Sequence, residues 1–330
     1  MMELKKVDAV FEGGGIKGIG LVGAVSEIEK AGYKFENLVG TSAGAIVATL
    51  LAVGYKAEEI KNELLKLDYT DFKDKEFVDN FGPIGKGISI IFEYGIYEGD
   101  FFESWLNELL KKKGITTFKQ IQTDYPEEQY KYKLQIVASD ITDKKMLILP
   151  HDLKDFVDDI DQFSIAKAVR MSIGIPIFFE PVKLKDKNGR THIIVDGGIL
   201  SNYPIWLLDD TTTHNPKWPT FGFKLNEPVP RKITEGYKDD IDNPVKYLKA
   251  LVSTMMEAHD KLHISNSKGD YARTIGIPTS ITINNNTKEI KTAYFDITKE
   301  ESLLLYKNGE DMAQKFLEIW DFDQYKKNYR

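Results

Sequence analysis

The chain has 330 residues, 42% hydrophobic and 29% charged, with no cysteine and a net charge of -7. Its length and its mean hydropathy of -0.33 are those of a globular protein with a sizeable core. Missing thiols exclude disulfides, a cysteine nucleophile and zinc–thiolate sites, and the acidic balance argues against nucleic acid as a partner.

Val7 to Phe11 is a short apolar run broken by Asp8 and followed at once by Gly13-Gly14-Gly15. Lys17 to Ala31 reads as a helix, with Leu21, Ala24, Val25 and Ile28 on one face and Gly32 closing it. Phe35 to Val39 is the next expected strand, followed by Gly40-Thr41-Ser42-Ala43-Gly44 and a helix to Ala52. A third, amphipathic helix is expected over Ala57 to Leu67. This β-α-β-α order predicts an α/β fold, a sheet with parallel strands under helical cover.

The stretch FGPIGKGISIIFEYGIYEG, Phe81 to Gly99, is rich in glycine and aromatics and fits no clean period. It reads either as core with irregular turns or as a mobile apolar flap that meets lipid through Ile90, Ile91 and Phe92. Phe101 to Lys113 resumes as a helix. Tyr132 to Ser139 and Lys145 to Leu149 read as neighbouring strands, and Ser164 to Ile173 as a helix stopped by Gly174 and Pro176. His192 to Val195 is a strand running into Asp196-Gly197-Gly198. A polar surface loop follows Thr211, and long helices are expected over Asn243 to Ser265 and Ser302 to Ile319. One domain over 5–325 is expected, with about 220–325 completing it.

Gly13-Gly14-Gly15-Ile16-Lys17-Gly18 satisfies G-x-G-x-x-G between a strand and a helix. A dinucleotide site would also want an acidic residue at the end of the second strand, where this chain has Val39-Gly40-Thr41-Ser42. The same glycines can instead offer backbone N–H groups to a developing negative charge. They emerge beside Ser42 if the first two strands are neighbours. Ser42 itself sits in a G-x-S-x-G turn, flanked by Gly40 and Gly44, which reads as a helix cap or as a nucleophile on a strand-to-helix elbow. For a base, His214, His259 and His263 occupy no recognisable catalytic turn, and surface or capping roles are expected of the histidines. Asp196, at the end of an apolar strand and before two glycines, is the better candidate.

These residues resemble the patatin-like phospholipases. GGGIKG near the N-terminus, GTSAG around Ser42 and DGG at Asp196 match the family's three signatures in order. Ser172 and Pro176 in RMSIGIPIFF, Asn202 and Pro204 in DGGILSNYP, and the C-terminal segments continue the likeness along nearly the whole chain. The resemblance implies a three-layer α/β/α fold with a mostly parallel central sheet. It implies a lipid acyl hydrolase of phospholipase A or lysophospholipase type, working through a Ser-Asp dyad and an acyl-enzyme. Ser42 carries over as nucleophile, Asp196 as general base, and Gly13, Gly14 and Gly15 as the oxyanion hole. Lys17, Gly18, Gly40, Gly44, Gly197 and Gly198 support these loops. Glu12 departs from the family's common Asp and Lys17 from its common Arg; Lys17 is expected to pin the loop rather than bind a lipid phosphate.

The implied reaction needs neither metal nor organic cofactor. Its partner would be membrane phospholipid or another acyl lipid, with peripheral membrane contact through local apolar surface, and an activator is an open question. Competing readings are a nucleotide-binding module and a Ser-His-Asp esterase using His259 or His263. No apolar run reaches the length of a membrane span. The first strand begins too near Met1 for a signal peptide, so a cytoplasmic protein is expected unless a signal-independent route exports it.

Overall fold

The computed structural model describes residues 5–67, 95–97, 99–209, 216–226, 241, 247–248, 250–252, 254–255, 269–292 and 296–330. The chain begins with β1 (Lys5–Phe11), α1 (Ile19–Lys30), β2 (Tyr33–Thr41), α2 (Ala43–Ala52) and α3 (Ala57–Leu64). It continues through β3 (Gly95–Tyr97), α4 (Asp100–Lys112), β4 (Leu134–Asp140), β5 (Lys145–Leu149) and α5 (Ile165–Ser172). Then come β6 (Ile177–Phe179), β7 (Val182–Lys185), β8 (Thr191–Asp196), β9 (Thr220–Asn226) and β10 (Thr274–Pro278). The hairpin β11 (Ser280–Ile283) and β12 (Asn286–Glu289) follows, and then α6 (Lys299–Ile319) and α7 (Phe322–Tyr329).

The central sheet has eight strands in the order β10-β9-β1-β2-β4-β8-β7, with β5 also paired to β4. From β10 to β4 every pairing is parallel; β5, β8 and β7 add antiparallel pairings. The fold is therefore α/β around a mostly parallel sheet. Alternation along the strands sends Val7, Ala9, Phe11, Ile136 and Ala138 into the large core beneath the helices. Val10, Val39 and Val137 face the other way, against Tyr203, Ile205 and Leu208. β9 and β10 come from the C-terminal third. α6 packs along α1 and sets Phe316 and Trp320 against Phe221 of β9, each ring pair 5.0 Å apart.

Asp8, the polar break in the first apolar run, sits at a bulge where the β1–β2 register shifts between Val7 and Ala9. Its Oδ1 accepts from the Asn37 backbone N–H at 2.9 Å and from Asn37 Nδ2 at 2.8 Å, replacing ladder bonds lost at the extra residue. Burial pushes its carboxyl up to about 7.

Several boundaries differ from the sequence expectation. The glycine loop passes through a 3-10 turn over Gly15–Gly18 before α1 begins, and α3 stops at Leu64. β6, β7, β9 and β10 carry no clean periodic signal: they are short, or interrupted by Gly222, Gly276 and Pro278. Phe81 to Tyr94, which holds most of the proposed flap, lies outside the described residues. So do His214, His259 and His263, and most of Asn243 to Ser265.

Two strands compete for one edge of β4, and this places the site. Ile136 and Val137 pair with β2 on one side and with β5 on the other. Ala138, Ser139 and Asp140 pair with β8 and also with β5. β2 and β8 therefore share an edge, running toward each other, with Thr41 opposite Val137 and Asp196 opposite Ala138. They meet end to end.

Candidate active site

Ser42 leaves β2 at that meeting point and caps α2 with φ +50° and ψ -124°. Such a backbone conformation costs a non-glycine residue about 1–3 kcal/mol, and the surroundings hold it in place. The turn is tight enough to exclude side chains at both flanks. A Cβ at Gly40 would stand 2.3 Å from the Gly44 carbonyl oxygen, and one at Gly44 would stand 2.3 Å from the Phe11 oxygen. The spacing of G-x-S-x-G is thus a packing requirement of this elbow.

The Ser42 hydroxyl donates to Asp196 Oδ2 at 2.7 Å, and the Gly198 amide donates to Asp196 Oδ1 at 2.7 Å. Asp196 is fully buried. Desolvation pushes its carboxyl up to about 7, against the opposing pull of the bonds from Ser42 and Gly198. A carboxylate at that level is far better matched to accepting a proton near neutrality than a free aspartate. Ser139 Oγ donates to the Gly197 oxygen at 3.2 Å, which ties the turn after Asp196 to β4.

The last residue of α5 and the turn that follows it grip both residues. Ser172 Oγ accepts the Ser42 backbone N–H at 2.9 Å and donates to the Val137 carbonyl at 2.6 Å. The Asp196 N–H donates to the Gly174 oxygen at 2.9 Å. Sequence reading marked Ser172 only as part of a family-like segment and assigned it no task. The signal was the position of Ser172 and Gly174 in RMSIGIP, just ahead of a helix-stopping proline.

The glycine loop lies against the same spot: a Cβ at Gly13 would come 3.0 Å from the Ser42 Cβ. Gly13 N–H donates to the Asn202 oxygen at 3.2 Å, and Asn202 Nδ2 donates to the Gly13 oxygen at 3.1 Å. Among the described residues, the N–H groups of Gly14 and Gly15 have no acceptor. Gly15 has φ +56°, a conformation that favours glycine. Glu12, just before the loop, accepts from Lys224 Nζ and from the Leu225 N–H, which fastens the loop to β9. Lys17 is buried, and Gly18 packs beside Ala43.

Ser42 borders an apolar cleft. Its walls include Ile46, Val47, Leu64, Phe102, Trp105 and Phe179. Of the histidines, two fall in the described residues, and neither touches this site. His151 lies beside Tyr132, with ring centroids 5.4 Å apart. His192 is buried rather than at the surface, because β8 turns it inward against Asp140. Among the described residues no helix is long and apolar enough to cross a membrane.

An α/β sheet with a serine elbow, a buried carboxylate and a glycine loop at one end defines a class of hydrolase. A family model, Patatin-like phospholipase, matches residues 9–209. The uncharacterized protein YqhO of Bacillus subtilis strain 168 is 37% identical over 96% of this chain and 99% of its own length. The chain belongs to the patatin-like phospholipase family, and its general class is that of a lipid hydrolase. The probable lipid hydrolase 463L of Invertebrate iridescent virus 6 is 27% identical over 59% of this chain and 61% of its own. Among solved structures, VipD of Legionella pneumophila shares the fold. Its TM-score is 0.52 at 20% identity, over 94% of this chain and 66% of that one. A chain of the ExoU–SpcU complex of Pseudomonas aeruginosa gives 0.51 at 14% identity, over 94% of this chain and 51% of that one.

Proposed function

We propose that this protein is a lipid acyl hydrolase that cleaves carboxylic esters of membrane lipids through Ser42 and Asp196, with no cofactor. The observation that carries the reading is the 2.7 Å hydrogen bond from Ser42 Oγ to Asp196 Oδ2 at the mouth of an apolar cleft. Ser42 Oγ attacks the ester carbonyl while Asp196 takes its proton. The tetrahedral oxyanion falls to the N–H groups of Gly14 and Gly15, because the Gly13 amide is already committed to Asn202. The positive end of α2, which Ser42 caps, favours the same charge. The alcohol departs with the proton from Asp196, and Asp196 then activates water against the acyl-enzyme. The apolar cleft suits an acyl chain, and substrate contact at a membrane surface follows from that chemistry.

The base acts only when ionised, so the rate should climb as pH rises through about 7. The direct test is labelling with a fluorophosphonate. Ser42 should be the residue modified, at one equivalent per chain, and Ser42→Ala should lose both labelling and lipid hydrolysis while remaining folded. Undiminished hydrolysis by a folded Ser42→Ala variant would overturn the assignment. Tight nucleotide binding without acyl-enzyme formation would favour the binding-module reading instead.

A further inference from the structure

The opposite end of β8 from Asp196 carries a second polar cluster. His192 is 4% exposed, and its Nδ1 lies 2.6 Å from Asp140 Oδ2 and 3.9 Å from Asp143 Oδ2. Its Nε2 is buried without a hydrogen-bond partner among the described residues and faces Asp186 Oδ2 across 3.6 Å. Asp140, Asp143, Asp186 and His192 line a pocket open to solvent, together with Asp155, Lys145 and Lys187. The nearby cations are engaged with other carboxylate oxygens. Arg190 pairs with Asp143 Oδ1 at 2.8 Å, Lys145 with Asp152 at 3.6 Å and Lys187 with Asp158 at 3.8 Å. Asp140 Oδ1 is held by the N–H groups of Thr142 and Asp143 at 2.9 and 3.3 Å, which leaves Oδ2 turned to the imidazole. Three carboxylates thus converge on one buried imidazole, which has only two nitrogens to offer.

We propose that Asp140, Asp143 and His192 bind a divalent transition-metal ion, with Nδ1 and one oxygen of each carboxylate as ligands and Asp186 accepting from Nε2–H. The three donor atoms already lie within 4.8 Å of one another. Bonds of about 2.0–2.2 Å set tetrahedral neighbours about 3.4 Å apart, so the two carboxylate contacts to Nδ1, at 2.6 and 3.9 Å, need to adjust by less than about 1 Å. One imidazole with two carboxylates suits Zn²⁺ or Mn²⁺, whereas Ca²⁺ wants six to eight oxygens. A carboxylate behind the ligating histidine is the usual way to orient the ring. The ion would join the β4–β5 turn to β8, where Asp140 stands opposite Ile194, two residues before Asp196. It is a staple for the strands that hold Asp196, and no step of ester hydrolysis runs through it.

The test is equilibrium dialysis of the EDTA-stripped full-length protein against ZnCl₂, MnCl₂ and CaCl₂, with metal content and melting temperature as readouts. Wild type should take up one equivalent of Zn²⁺ or Mn²⁺, more tightly than Ca²⁺, and melt higher when loaded. Asp143→Asn, at a half-exposed side chain that leaves the fold intact, should weaken binding by at least about tenfold. His192→Gln should abolish it. Should His192→Gln fail to fold, Asp143→Asn decides the matter alone. Failure of wild type to bind stoichiometrically, equal affinity in Asp143→Asn, or a preference for Ca²⁺ would each overturn the proposal.

Discussion

Replacing Asp196 by Asn removes a charge while nearly preserving shape, and it separates the catalytic from the structural consequences of burying this carboxyl. An amide cannot take the Ser42 proton, so the rate of ester hydrolysis should fall at least about a hundredfold. Stability should move the other way as pH rises. The unfolded chain titrates Asp near 3.9, and the folded chain holds Asp196 protonated up to about 7. Between these values the unfolded state binds fewer protons, so wild-type stability declines with pH and levels off above about 7. A pKa difference of about 3, at 1.36 kcal/mol each, makes that decline about 4 kcal/mol. The variant lacks it. Urea denaturation of both proteins from pH 4 to 8.5 should show Asp196→Asn gaining on wild type by as much as about 4 kcal/mol across that range. Asp8 also climbs to about 7, but it is common to both proteins and cancels in the difference. A difference that stays flat with pH, or a variant keeping more than about a tenth of wild-type activity, would refute the reasoning.

Ser172→Ala leaves the Ser42 N–H without its acceptor and the Val137 carbonyl without its donor; stability should drop by about 1–3 kcal/mol. Because Ser172 positions the elbow without touching substrate, kcat should fall with KM unchanged, and a change in KM alone would contradict that role. Val47→Phe should fill part of the cleft beside Ser42 and shift preference toward shorter acyl chains by at least about tenfold in the ratio of kcat/KM values. A parallel loss on short and long esters would mean that the cleft does not hold the acyl chain.

The residues of the candidate site were visible in the sequence because each sits in a local pattern with a local cause. Ser42 stands out between two glycines that the elbow makes obligatory, and Asp196 stands out at the end of an apolar strand before Gly197-Gly198. Short-range periodicity likewise showed β1, α1, β2 and α2 as an α/β unit, since those elements alternate on the spacing of their own backbones. What joins Ser42 to Asp196 is not local. They are 154 positions apart, and they meet because β2 and β8 occupy successive stretches of one edge of β4 from opposite directions. Strand order and direction depend on which edges find each other in three dimensions, and no periodicity in β8 announces that it runs antiparallel. The same holds for Ser172, whose hydroxyl reaches Ser42 only after α5 has docked, and for Gly13, whose amide is taken by Asn202. The raised pKa of Asp196 is likewise a tertiary property. Aspartate is acidic wherever water can reach it, and only the packing of β4, β8 and the 172–174 segment around this one keeps water away.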